Sequence, residues 1–392
     1  MTPIPLSLYI HIPWCVRKCP YCDFNSHQSP NDNNGNQQVP EKEYIAALLT
    51  DLETELPHIW GRPLESIFFG GGTPSLFSAE AIESLMSGLR ERLPIRPSME
   101  ITMEANPGTF EQERFSQYKQ AGINRLSIGV QSYNSEHLNA LGRIHDGHEA
   151  LNAATIANKA GFDNFNLDLM HGLPKQTSEQ ALADLQQAIA CEPSHISWYQ
   201  LTIEKNTLFH HSPPVLPNAD ALWEIQEQGQ ALLKQAGYSQ YEVSAYAKGE
   251  GDKNRCNHNM NYWEFGDYVG IGAGAHGKIT QPDGSITRHT KYRQPTEYIK
   301  QANQREPRSS TTLLKKKGLP FEFMLNALRL KQGFSSDLFE QRTRLAFAEI
   351  EPLVQQAINK KLMLKDNSVE QEHYRTTKRG WEFLNDVMEM FL

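Results

Sequence analysis

With 392 residues, 39% of them hydrophobic and 21% charged, the chain has the make-up of a soluble globular protein of about two domains, and nothing in it suggests wholesale disorder. A net charge of −8 with scattered Lys and Arg argues against broad contact with nucleic acid, which needs clustered cations. Five cysteines, three of them crowded between positions 15 and 22, do not resemble a secreted disulfide framework and point to metal binding.

In chain order, SLYIHIP (7–13) is the first short segment of β-formers, and the cysteines follow it directly in HIPWCVRKCPYCDF. The polar stretch SPNDNNGNQQVP (29–40) reads as a surface loop. Strand-like segments then recur as SIFFGGG (66–72), EITMEANP (100–107), RLSIGVQS (125–132), NFNLDLMHG (164–172) and HISWYQLTI (195–203). Between and after them lie stretches of helical periodicity, from EYIAALLTDLETEL to ADALWEIQEQGQALLKQAG, several stopping at Gly. Six strands alternating with helices imply successive βαβ units and a parallel sheet, here a partial (β/α)6 barrel over residues 1–240.

Beyond residue 238 the alternation breaks down. YEVSAYA reads as one more strand, followed by the irregular CNHNMNYW and the Gly-rich GDYVGIGAGAHG, so 241–311 is expected to be a connecting region. Residues 312–392 read as a small C-terminal helical domain, with the KKK run at 315–317 as a solvated cluster ahead of it. No apolar run approaches a membrane span, and the first residues lack a secretory pattern, so the expected location is the cytoplasm.

The spacing C-x3-C-x2-C puts the thiolates of Cys15, Cys19 and Cys22 on one short loop after the first strand. Thiolates are the soft ligands of iron–sulfur clusters. A [4Fe-4S] cube has four irons and this loop supplies three ligands, which leaves one iron open to a non-protein ligand. Zinc would need a fourth ligand, for which His11 and His27 are near enough in sequence. Gly70, Gly71 and Gly72 leave backbone exposed after the second strand, either as a tight turn or as a ligand cradle. Glu104, Gln131, Arg143 and Asp168 would sit on or beside successive strands, where polar groups are costly to bury without a polar ligand.

The motifs YIHIPWCVRKCPYC, FFGGGTPS, MEANPGT, GVQS, LGRIHD and NLDLMHGLP, with the C-terminal region, closely resemble the radical S-adenosylmethionine superfamily. Within it the resemblance is to the branch of oxygen-independent coproporphyrinogen III oxidases and haem chaperones, and it covers nearly the whole chain. It implies a radical SAM core holding a [4Fe-4S] cluster and S-adenosylmethionine at the C-terminal ends of the strands. By the same resemblance, Gly71, Gly72 and Thr73 belong to the segment that meets the cofactor's amino group, and Arg143 pairs with its carboxylate. Glu104, Gln131 and Asp168 would contact its amino acid, sulfonium or ribose portions. Tyr9, Tyr21 and Thr202 match weaker contact positions and read equally well as packing residues.

Two functions follow from the resemblance. One is oxidative decarboxylation of coproporphyrinogen III; the other is haem binding and delivery to acceptor proteins such as respiratory enzymes. The oxidase pattern has a fourth cysteine where this chain has Phe24, and it has an extension ahead of the cluster loop, whereas here Cys15 comes almost at once. HNMNYW (258–263) matches an element of the haem chaperones, in which His258 would ligate haem, with Tyr262 and Trp263 offering flat aromatic surface. On chemistry alone these three read as a turn cap and core aromatics. The chaperone is therefore the expected function, with haem and an acceptor protein as partners; a membrane-associated partner and a homodimer are compatible with it.

Overall fold

The computed structural model describes residues 3–30, 38–59, 61–108, 114–367 and 372–392. Much of the predicted loop at 29–40 therefore lies outside the described residues. Six strands run in chain order, β1 (Leu6–Ile12), β2 (Leu64–Gly71), β3 (Glu100–Ala105), β4 (Arg125–Gln131), β5 (Phe165–His171) and β6 (His195–Gln200). Each pairs in parallel with the next, as the alternation of strands and helices requires.

The main helices over this half are α1 (Glu41–Ile59), α2 (Ala79–Arg92), α3 (Phe115–Ala121), α4 (Gly147–Lys159), α5 (Ser178–Ala190) and α6 (Ala219–Gln235). Their starts are written in the sequence. Ser78 Oγ accepts from Ala81 N at 3.2 Å at the head of α2, and capping boxes formed by Asp146 with Glu149 and Thr177 with Gln180 open α4 and α5.

Strand alternation sorts the barrel into two faces. Leu6, Leu8 and Ile10 of β1, Ile67 and Phe69 of β2, Leu126 and Ile128 of β4 and Leu167 and Leu169 of β5 belong to one large apolar cluster with the helices. The alternate residues are mostly polar or small, among them Ser7, Ser66, Glu100, Ser127, Asn166 and His195, and all of these are buried. Such groups survive burial only when hydrogen-bonded to one another or to a ligand.

The sheet does not stop at residue 240. Strands β7 (Tyr238–Gln240) and β8 (Ala245–Lys248) extend it beyond β6, where β8 pairs antiparallel with β6. On the other edge β9 (Asp267–Ile271) pairs in parallel with β1, and β10 (His276–Thr280), β11 (Ile286–Lys291) and β12 (Arg308–Leu313) continue antiparallel. The result is a 12-stranded sheet, so the stretch expected to be a connector builds both edges of the barrel. Periodicity hid this because the edge strands are short and several are joined by hairpins, with a helix only at Pro295–Asn303 before β12. Between the two sets of edge strands lies α7 (Asn257–Trp263), which carries HNMNYW.

A buried ion cluster fastens α1 to this far edge. Lys291 Nζ lies 2.5 Å from Asp51 and 2.6 Å from Glu55, Tyr298 donates to Asp51 at 2.7 Å, and Arg308 holds Glu55 at 2.6 Å. The residues from Leu319 onward form a second apolar cluster with Phe265 and Ile286. This C-terminal part is not purely helical: Phe334–Ser335, Met363–Asp366 and His373–Thr376 make a three-stranded antiparallel sheet. The helix over Ser336–Thr343 ends where Arg344 takes a left-handed φ of 63°. No helix among the described residues is long and apolar enough to cross a membrane.

Candidate functional site

A cavity of about 320 Å³ opens at the C-terminal ends of the parallel strands, the position at which α/β barrels build their sites. Its walls include Cys15, Cys19, Cys22, Tyr21, Gly71, Gly72, Thr73, Glu104, Gln131, Arg143 and Asp168, so most of the predicted residues converge there. Tyr9 lies just beneath it, donating to His11 Nδ1 at 3.0 Å, with its ring against Gly70. Thr202 is exposed, donates to Glu204 at 3.1 Å, and is not part of the wall.

The glycines admit the cysteine loop. A Cβ on Gly72 would meet Trp14 O at 2.5 Å, and one on Gly71, whose φ is +114°, would meet the His11 ring at 2.5 Å. Backbone bonds from Gly72 N to Ile12 O at 2.7 Å and from Thr73 N to Trp14 O at 2.8 Å dock the loop on β2.

The three thiols are free and half-buried. Burial pushes Cys15 up to about 11, against the opposing hydrogen bond from Thr73, and also raises Cys22. An iron-bound thiolate removes that cost, because metal charge deprotonates the sulfur. No three Cys, His, Asp or Glu side chains among the described residues converge on a single-ion site. His11 donates to Asn25 O at 2.9 Å and accepts from Tyr9, so neither ring nitrogen is open. The donor set, three thiols spread round one cavity wall, fits a multi-iron cluster better than a mononuclear zinc.

A chain of side chains ties the loop to the strand ends. Arg143 reaches Cys19 Sγ at 3.7 Å, Asn106 Oδ1 at 2.6 Å and Gly129 O at 2.8 Å, and Asn106 donates to Thr73 Oγ1 at 3.2 Å, which donates to Cys15 Sγ at 3.5 Å. Burial alone would lower Arg143, but Tyr21 and Cys19 beside it hold it above its ordinary value.

Across the cavity are two carboxylates. Glu104 accepts from Gly71 N at 3.1 Å, and burial, with Asp168 nearby, raises it to about 8. Asp168 is also raised by burial, against hydrogen bonds led by that from Ser127 at 2.8 Å. A ligand bringing positive charge would relieve both acids, while Arg143 offers a cation to a carboxylate.

Asn106, Ser127, Gly129 and Tyr199 also line the cavity and were not singled out from the sequence. The signal was there: Asn106 is two residues past Glu104, and Ser127 and Gly129 lead by twos to Gln131, so strand periodicity puts them on one face.

His258 lies elsewhere. It is 1% exposed, bonded through Nδ1 to Ser66 at 2.9 Å and through Nε2 to Tyr262 at 3.1 Å, and its ring stacks on Phe68 at 5.0 Å. Burial lowers it to about 3, so it is neutral. In this arrangement both ring nitrogens have side-chain partners, and the imidazole joins α7 to the barrel floor.

A partial barrel with three cysteines after its first strand and a polar, acid-bearing cavity above it defines the radical S-adenosylmethionine class. The radical SAM superfamily matches residues 9–188, and the HemN C-terminal domain matches 314–383. A solved structure, coproporphyrinogen III oxidase (HemN) from Escherichia coli, superposes with a TM-score of 0.81 at 24% identity, covering 99% of this chain and 90% of that one, and so shares the fold. Proteins named heme chaperone HemW from Escherichia coli K12 and Haemophilus influenzae are 51% and 49% identical, each match covering 99% of this chain and 98% of the relative. The same name is carried by a Buchnera aphidicola relative at 44% identity. The chain belongs to the HemW family.

Proposed function

We propose that this protein holds a [4Fe-4S] cluster on Cys15, Cys19 and Cys22, takes S-adenosylmethionine in the cavity beside it, binds haem and passes it to acceptor apoproteins such as respiratory enzymes in the cytoplasm. The convergence of three thiols, Arg143, Glu104 and Asp168 on one cavity supports the cofactors. A cluster with one iron free of protein ligands supplies a chelation point for an amino acid's amino and carboxylate groups. Around that point Arg143 faces the carboxylate, while Glu104 and Asp168 balance the positive charge of the amino and sulfonium groups.

Delivery of haem, as opposed to oxidation of a porphyrinogen, is supported by the HemW relatives spanning the whole chain and by Phe24, which is 61% exposed at the cavity wall where the oxidase pattern has a cysteine. The test pairs two measurements on anaerobically reconstituted protein: haem titration followed by transfer to an apoprotein, and incubation with coproporphyrinogen III, S-adenosylmethionine and a reductant. Haem binding without protoporphyrinogen formation is expected; rapid porphyrinogen turnover would replace this reading with the oxidase.

A further inference from the structure

The barrel interior contains a chain of hydrogen bonds that the cofactor reading does not use. It starts at the seam between barrel and C-terminal part, where Tyr241 lines a groove with Arg255, Lys331 and His373, and it ends at Asp168 in the cofactor cavity. Cys256 N donates to Tyr241 Oη at 3.3 Å, and the Tyr241 hydroxyl lies 2.8 Å from His195 Nε2. His195 Nδ1 lies 2.6 Å from Asn166 Oδ1, which also accepts from Ser197 Oγ at 3.1 Å. Asn166 Nδ2 donates to Asp168 Oδ1 and to Ser127 Oγ, both at 2.8 Å, and Ser127 donates to Asp168 Oδ2 at 2.8 Å.

With His195 neutral, only one assignment of protons satisfies every link. Asn166 Oδ1 is an acceptor, so His195 carries its proton on Nδ1, and Nε2 must accept from Tyr241. Every donor then points the same way, from the seam toward the carboxylate. Burial, with the Arg125 charge nearby, keeps His195 well below its usual range and therefore neutral, as the chain requires. Both amide hydrogens and both oxygen lone pairs of Asn166 are used, and a saturated buried network of this kind holds its members in one orientation.

We propose that His195 and Tyr241 are positioning residues for the cofactor: through Asn166 they orient Asp168 and hold a hydrogen-bond donor on its carboxylate, so cofactor affinity depends on a hydroxyl at the domain seam. This rests on the reading that the cavity takes S-adenosylmethionine. The charged and titratable groups facing Asp168 are Glu104 on β3, Arg125 on β4 and Tyr199 on β6. Arg125 also feels the charge of both Tyr241 and Asp168, but the continuous hydrogen-bonded route from the Tyr241 hydroxyl to Asp168 runs through His195 and Asn166.

The test is S-adenosylmethionine binding by equilibrium dialysis to cluster-loaded protein, from pH 5.5 to 8, with iron content and melting temperature measured in parallel. Tyr241→Phe removes one oxygen, and is expected to weaken binding roughly fivefold at neutral pH with iron content unchanged. It should also make binding fall more steeply on acidification than in the wild type, because an Asp168 with poorer donors protonates at higher pH. His195→Gln, which keeps a donor and an acceptor, should restore part of the affinity lost in His195→Phe. Wild-type affinity and pH profile in a folded Tyr241→Phe, or equal losses in the two His195 variants, would overturn the positioning role. No binding by the wild type would instead sink the cofactor reading itself, and the inference with it.

Discussion

Arg143 and Asn106 form the tightest polar pair in the cofactor cavity, with NH2 and Oδ1 2.6 Å apart. Asn106 is thereby the joint between the guanidinium and Thr73, and through Thr73 it reaches the Cys15 thiol. Asn106→Ala should leave the fold intact and weaken S-adenosylmethionine binding roughly tenfold, the scale of one charge-assisted hydrogen bond. Isothermal titration of cluster-loaded protein checks this, and unchanged affinity would show that Gly129 O and Cys19 Sγ suffice to hold Arg143.

Only three of the five cysteines face the cavity. Cys15→Ser, Cys19→Ser and Cys22→Ser should each lose most of the bound iron and sulfide after anaerobic reconstitution. Cys256→Ser should lose none, since Cys256 is buried beside Glu100 on the barrel floor, with Sγ 3.6 Å from Glu100 Oε1. Iron content equal to wild type in the Cys19 variant would refute the cluster assignment.

Gly72→Ala tests the docking of the cysteine loop on β2. Its Cβ would lie 2.5 Å from a backbone oxygen, which cannot yield as a flexible side chain would. A loss of about 2 kcal/mol or more is expected from overpacking, together with poor cluster retention. Thermal unfolding and iron analysis of the same sample measure both.

The ligand-free protein should lose stability with rising pH through the range that Glu104 commands. Burial raises Glu104 to about 8 from the ordinary carboxylate value of 4.5, so between these values the folded state binds the extra proton. Stability is then greatest below about 4.5 for this group and declines as pH rises toward 8. Glu104→Gln should flatten that part of the profile in melting experiments from pH 5.5 to 8.5. Binding of a cationic ligand should release a proton near neutrality in the wild type and none from this site in the variant.

Lys291→Met leaves Asp51 and Glu55 facing each other without their shared cation. Removing one partner from a buried ion cluster costs about 3–5 kcal/mol, so the midpoint in urea should fall markedly. A midpoint unchanged from wild type would mean that Arg308 alone balances both acids.

The central barrel was legible in the sequence because each of its strands is separated from the next by helical sequence, and four of the six end at Gly, Pro or Asn, as at Gly71 and Asn106. The edge strands were not, because β10 and β11 are short, alternate weakly and pair with their sequence neighbours, while β9 ahead of them obtains its partner, β1, from distant sequence. The C-terminal strands are four residues or fewer, and Met363–Asp366 follows a helix so closely that helical periodicity absorbs it. The cavity was readable where a motif put a charged residue at a strand end, as with Glu104 and Asp168. Asn106 and Tyr199 escaped because each makes its contribution through a partner, Arg143 and Gln131, that only the fold brings close.

The pairing of β1 with β9 has a consequence for how the protein is made. The loop that carries the cysteines is clipped by Asn25, which donates to Ala273 O at 2.9 Å and to Arg293 O at 2.8 Å across 248 and 268 residues of sequence. A nascent chain that has just left the ribosome with its cysteines exposed still lacks the strand and turn that seat them. The seat of the cysteine loop is complete only after about three quarters of the chain has emerged, so the loop reaches its final position late in synthesis, when the last partner of the first strand has arrived.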